Sequence, residues 1–182
     1  MGIAVQFEKS KLTEIKGVSF MSTNRPMRRK DREITDIVAI TEIIDRMDVI
    51  RVGFYDGKEV YIVPLSFGYE QKDGRFTFYM HGAKVGRKAD LVRQQGKAGF
   101  ELDCAVELVT AAEPCNHSVL FNSIIGHGTI EEISDADGKI AGLKAIMKHN
   151  TGKEDWTFPE KMLAATFVMK LTSDWLTCKV HE

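Results

Sequence analysis

The densest run of residues able to do chemistry is His81-Gly-Ala-Lys-Val-Gly-Arg-Lys88, where a strand pattern gives way to a helical one. Arg87 and Lys88 fall in the first turn of that helix. The unpaired N–H groups and the positive end of the macrodipole disfavour cations there by about 0.3–1 kcal/mol each. A bound anion reverses the sign. Gly82 and Gly86 permit close backbone approach, the helix start offers N–H donors, and Arg87, Lys88 and Lys84 supply charge, so the segment has the parts of a phosphate cradle. A solvated basic turn is the alternative. The segment matches neither G-x-x-x-x-G-K-[ST] nor G-x-G-x-x-G, which sets aside a P-loop and a dinucleotide loop.

Other reactive residue types are scattered. His117, His127, His149 and His181 show no metal-ligand spacing, and Cys104, Cys115 and Cys178 form no C-x-x-C pair, so no metal is expected. No G-x-S-x-G elbow is present, and Cys104 and Cys115 sit in contexts that do not mark a nucleophile. Trp156 and Trp175 are expected in the core or at a dimer interface. The odd cysteine count, the absence of an apolar run of about 20 residues and the lack of a signal-peptide pattern lead to an expectation of a cytoplasmic protein without a membrane partner. The 25 basic residues nearly cancel the 26 acidic ones, so a whole-surface attraction to nucleic acid is not expected.

The elements that must position the cradle follow from apolar spacing. With 182 residues and no internal repeat, the chain is expected to form one domain over 27–182 after an N-terminal tail or extension over 1–26. Met21 as a natural start and a genuine arm covering the body are both open. A first helix capped by Asp31 is expected to bury Ile34, Ile37, Ile40, Ile44 and Met47. Ile50, Val52 and Phe54 then alternate, and Asp56-Gly57 supplies a tight hairpin turn. The return strand Glu59–Tyr69 carries Pro64, which has no N–H to donate and so marks an edge, a bulge or an end of pairing. Lys72-Asp73-Gly74 turns into Arg75–His81, with Phe76, Phe78 and Met80 on one face. Strands are expected near Ala98–Leu108, Ser118–Ile133, Ala165–Leu171 and Trp175–Val180, with a helix burying Ile140, Leu143 and Met147 and ending at Gly152. Six or seven strands joined mostly by hairpins, with a few peripheral helices, predict a mainly β fold, a closed or partly closed antiparallel barrel.

Four stretches in this order resemble the FMN-binding split barrels related to pyridoxamine 5′-phosphate oxidase, especially the branch of 5-nitroimidazole reductases. They are Met27-Arg-Arg-Lys-Asp-Arg-Glu-Ile34, Tyr61-Ile-Val-Pro-Leu-Ser-Phe-Gly-Tyr69, Phe78-Tyr-Met-His-Gly-Ala-Lys-Val-Gly-Arg-Lys88 and Phe121-Asn-Ser-Ile-Ile-Gly-His-Gly128. The resemblance implies a six-stranded antiparallel split barrel that forms a homodimer, with FMN sites in clefts between subunits. It implies that Arg87 and Lys88, with Gly82, Ala83, Lys84 and Gly86, hold the phosphate. Val63, Pro64, Leu65, Ser66 and Phe67 would line the isoalloxazine, and Ser123 would match the branch's strand serine. Phe121-Asn122 departs from the Tyr-Arg often found before that serine. His81 matches a histidine beside the flavin and is the catalytic candidate; its free pKa near ~6.5 suits proton delivery. A strand-end histidine satisfied by backbone groups is the competing view.

The resemblance thus implies an FMN-dependent oxidoreductase acting on small electrophiles such as nitroaromatics, its electron donor unknown, with NAD(P)H one candidate. A non-catalytic protein binding FMN, haem (through His81 or His127) or a phosphorylated vitamin in the same cleft is the alternative. Pyridoxamine phosphate oxidation is a third use of the fold, without a matching substrate-phosphate motif near the C-terminus.

Overall fold

Period-two alternation of apolar residues governs most of the chain, and the computed structural model, which describes residues 26–181, turns it into seven strands. After a 3-10 turn at Lys30–Arg32 come β1 (Glu33–Ile34), α1 (Ile37–Ile44), β2 (Val49–Tyr55), β3 (Val60–Lys72) and β4 (Arg75–Ala83). There follow α2 (Arg87–Gln95), β5 (Lys97–Val109), a 3-10 turn at Pro114–Asn116, β6 (Ser118–Ile133), α3 (Ala136–Thr151), α4 (Glu160–Ala165) and β7 (Thr166–His181). The expected tail lies almost wholly outside the described residues, as does Met21. Among the described residues no helix is long and apolar enough to cross a membrane.

The strand order is β1-β7-β4-β3-β2-β5-β6, all pairs antiparallel, and β6 also pairs with β7. That last pairing closes six strands into a barrel, with β1 laid on the outer edge of β7. Phe76, Phe78 and Met80 alternate into its interior, as expected from the sequence, together with Ile50, Val52 and Phe54. Phe78 meets Phe67 edge-on at 5.8 Å and Phe100 at 5.1 Å, the offset geometry that aromatic quadrupoles favour.

One irregularity shapes the molecule. β3 pairs with β2 from Val60 to Ser66, then with β4 from Phe67 to Lys72. Beyond Met80, β4 runs on to Ala83 paired only with β7. The first half of β3 and the last residues of β4 therefore part, and the barrel is split between them. Pro64, opposite Arg51, lies in the half of β3 that has one neighbour, so its missing N–H is tolerated at an edge.

Several expectations are corrected. Asp31 does not cap the first helix: it lies in the 3-10 turn, Glu33–Ile34 is a strand on β7, and Asp36 caps α1 by accepting from the Ala39 N–H at 2.9 Å. Asp56-Gly57 is part of a four-residue loop, in which one Asp56 carboxylate oxygen accepts the N–H groups of Lys58 and Glu59. The Asp73-Gly74 turn forms as expected, with φ of 52° and 78°. On α3 the buried residues are Lys139, Gly142 and Ile146, one position off the apolar stripe; Ile140, Leu143 and Met147 are half-buried. Glycine decides this, because α3 comes so near β3 that a Cβ on Gly68 would lie 2.2 Å from the Ala145 carbonyl. The two expected C-terminal strands are one, since Leu171–Trp175 continues extended with β6 alongside.

Candidate functional site

The split is where the sequence-predicted residues gather. On one side is β3, whose Val63 and Leu65 side chains turn toward the core while Ile62, Pro64 and Ser66 face out. From Val60 to Ser66 its second edge has no strand beside it among the described residues, leaving backbone groups free to meet a ligand. Phe67 lies beyond the opening: it pairs with Met80 and its ring is wholly buried, so it cannot line the site as expected.

On the other side are the end of β4 and the start of α2. Gly86, with φ +107°, makes the turn into the helix, a conformation that side-chain-bearing residues avoid. Among the described residues no side chain caps α2, so its first N–H groups remain available. Lys88 folds back across β4. A Cβ on Gly82 would lie 2.3 Å from the Lys88 Nζ, so that glycine provides the seat on which the ammonium rests. Lys88 is half-buried, its pKa is lowered by that burial, and among the described residues no carboxylate or hydrogen-bond partner offsets it. A desolvated cation at the positive end of a helix is a site waiting for an anion.

Arg87 behaves differently from expectation. Its guanidinium bonds Asp56 at 2.6 Å and Glu59 at 2.7 Å and lies 4.7 Å over the Tyr61 ring. The β2–β3 loop thus already supplies Arg87 with negative charge, while Asp56 is pushed down to about 2 by the Glu59 and Lys58 N–H groups and by Arg87. Lys84 and Ala83 are exposed at the mouth, beside Val85.

His81 stands on β4 opposite Val168, one residue before the Lys88 seat. Its pKa is lowered from 6.5, first by burial and then by the Lys88 charge, both of which favour the neutral imidazole. No backbone partner satisfies its ring among the described residues. His127 is less accessible: it stacks on Trp175 at 5.6 Å and its Nε2 is buried without a hydrogen-bond partner among the described residues.

Ser123 does not join this group within one chain. Across the sheet it pairs with Asp103 of β5, and β2 and β3 lie between β5 and the His81 end of β4, four strand spacings or about 19 Å along the sheet at ~4.8 Å each. Ser123 instead borders a separate cavity with Met27, Ile125, Trp175, Thr177 and Lys179. Sequence inspection missed Asp56, Glu59 and Tyr61 as partners of Arg87. The carboxylates had a visible signal, since two acids flanking a hairpin turn are placed to meet a cation on a neighbouring element.

A six-stranded antiparallel barrel opened where β3 exchanges neighbours, with a cation and a helix start at the opening, defines the split-barrel class. The family model for pyridoxamine 5′-phosphate oxidase matches residues 36–180, and the chain belongs to that family. A candidate 5-nitroimidazole antibiotic resistance protein of Bacteroides thetaiotaomicron is 29% identical, with a TM-score of 0.70 over 81% of this chain and 86% of that one. The flavocytochrome Anf3 of Azotobacter vinelandii (23% identity, TM-score 0.71, covering 86% and 72%) shares the fold. So does the FAD and heme binding protein of Mycobacterium smegmatis (20%, 0.72, 83% and 74%). A search among curated proteins gives no match.

Proposed function

We propose that this protein binds FMN in the split and is an oxidoreductase that reduces small electrophiles, nitroaromatics such as nitroimidazoles among them. The observation that carries this reading is the half-buried Lys88 ammonium at the start of α2, without a partner among the described residues and across the split from the open edge of β3. Membership of the pyridoxamine 5′-phosphate oxidase family and the likeness to the Bacteroides protein support it.

Bound FMN supplies the electron-transfer chemistry. The chain's residues hold and orient it. Lys88 and the first N–H groups of α2 take the phosphate, with Gly82, Ala83, Lys84 and Gly86 forming the loop around it. Arg87 reaches the phosphate only by sharing its charge with Asp56 and Glu59. Backbone groups of Val63, Pro64, Leu65 and Ser66 meet the polar edge of the ring. His81, whose neutral form is favoured, would exchange one proton with the substrate through its own imidazole nitrogen. The protein acts as a homodimer: Ser123 lies on β6, four strands across the sheet from the His81 end of β4 and at a separate cavity, so its expected place beside the flavin is supplied by the second copy. The electron donor is a reduced nicotinamide or another protein.

The visible spectrum of the purified protein, before and after reconstitution with FMN, is the test. A flavin spectrum that bleaches with NADPH or dithionite and recovers on adding a 5-nitroimidazole supports the reading. A flavin that binds and does not reoxidise with nitro compounds leaves a carrier, a Soret band replaces FMN with haem, and no chromophore at all overturns the proposal.

A further inference from the structure

The cradle loop needs something to hold it, because Lys84, Val85, Gly86 and Arg87 are all exposed and no side chain among the described residues caps α2. Arg93, in the last turn of α2, reaches back to that loop. Its Nη1 donates to the Lys84 carbonyl at 3.1 Å and its Nε to Glu132 of β6 at 2.7 Å, while the guanidinium lies 5.1 Å over the Phe167 ring of β7. One planar group thus ties the loop before Gly86 to two strands of the barrel wall. Glu132 is held ionised by it, its pKa lowered by Arg93 and, more weakly, by Lys139 and Lys84.

We infer that Arg93, oriented by Glu132, is the positioning residue of the anion cradle: it fixes the Lys84 peptide so that the N–H groups from Gly86 onward and the Lys88 ammonium converge on one anion. This rests on the cradle binding the FMN phosphate. The fork geometry matters because Arg93 must serve a carbonyl and a carboxylate at once, which a guanidinium does from one plane and an ammonium on a flexible stem does poorly. Arg93 touches no ligand in this scheme; it acts through the backbone at Lys84.

The experiment is a titration of flavin-free protein with FMN, followed by fluorescence quenching, on wild type, Arg93→Ala, Arg93→Lys, Glu132→Gln and Lys88→Ala. Thermal melts without ligand establish that each variant is folded. Arg93→Ala is expected to weaken FMN about tenfold, a change of about 1.4 kcal/mol. Arg93→Lys, which keeps the charge, should recover less than half of that on a logarithmic scale, and Glu132→Gln should weaken binding severalfold. Affinity at the wild-type level in folded Arg93→Ala, or full rescue by Arg93→Lys, overturns the positioning role; the second result would leave charge alone at work. Unfolded Arg93→Ala shifts the decision to Arg93→Lys and Glu132→Gln, and wild-type binding in both overturns the inference. Lys88→Ala separates the two proposals, since unchanged affinity there removes the cradle itself.

Discussion

Replacing Gly82 by alanine should lower FMN affinity without weakening the fold. The glycine has ordinary β backbone, with no positive φ, so alanine is permitted there, and in a strand interior it is worth roughly 0.5–1 kcal/mol over glycine. The added methyl would lie 2.3 Å from the Lys88 Nζ and 3.1 Å from its Cε. Van der Waals contact begins near ~3.5 Å, so the ammonium must retreat by about 1.2 Å. Moving a unit charge from about 2.8 to about 4.0 Å from an anion costs about 2 kcal/mol at an effective dielectric of ~20. Half-exposure and side-chain adjustment reduce this toward about 1 kcal/mol, which corresponds to a roughly fivefold weaker FMN complex, with about thirtyfold as the upper bound at the full ~2 kcal/mol. The flexible end of Lys88 gives way at little cost in the free protein, so its melting temperature should hold or rise by about 2 °C. Flavin fluorescence titration and thermal melts with and without FMN measure the two effects separately. Wild-type FMN affinity in Gly82→Ala would refute the seating of Lys88, and a free-protein melt lowered by several degrees would refute the backbone argument.

Asp56→Asn should preserve the turn's hydrogen bonds but remove a carboxylate held at about 2; stability that the wild type keeps above pH 3.8 and loses as pH falls toward 2 should show a shallower acid slope in the variant, measured by pH-dependent melts. His81 should titrate below 6.5 in flavin-free protein by NMR, and its pKa should rise when inorganic phosphate is added, because an anion at Lys88 cancels the charge that depresses it; a pKa unmoved by phosphate contradicts the proximity of the two groups. With its folded value depressed, His81 also contributes a loss of stability as pH falls through 6.5, since the unfolded chain binds the proton first. Phe67→Ala, at a wholly buried position where β3 changes neighbours, should cost about 3–5 kcal/mol and drop the melting temperature by roughly 10 °C. Lys139→Met should destabilise by about 1–3 kcal/mol, because Lys139 Nζ donates to the Leu163 and Thr166 carbonyls and methionine removes both of these hydrogen bonds; an unchanged melt would show that water replaces the ammonium.

The strands were legible wherever alternation is clean, as at Phe76, Phe78 and Met80, and the Asp73-Gly74 turn was legible because only one hairpin geometry suits that pair. The cradle was visible for an electrostatic reason: cations at a helix start are anomalous until an anion is added. Less legible were features set by long-range contact. The true cap of α1 depends on β1 pairing with β7, and the buried face of α3 depends on Gly68 and Gly142 admitting a helix at close range, which apolar counting weights wrongly. Arg87 looked equivalent to Lys88 in sequence, yet a loop some thirty residues earlier gives it two carboxylates, while Lys88 has none among the described residues. Neighbouring residues of like charge can therefore differ in availability, and only the tertiary fold separates them.

The double pairing of β7 has a consequence for biosynthesis. Among the described strands it is made last, yet it is the one that joins β4 to β6. Until Thr166–His181 leaves the ribosome, the nascent chain carries two long open sheet edges and an unclosed aromatic interior, the state in which strands recruit other chains. A translational pause before Thr166 should therefore act as an aggregation point, and a chaperone that shields the β4 and β6 edges should matter more to the yield of this protein than one that acts on its helices.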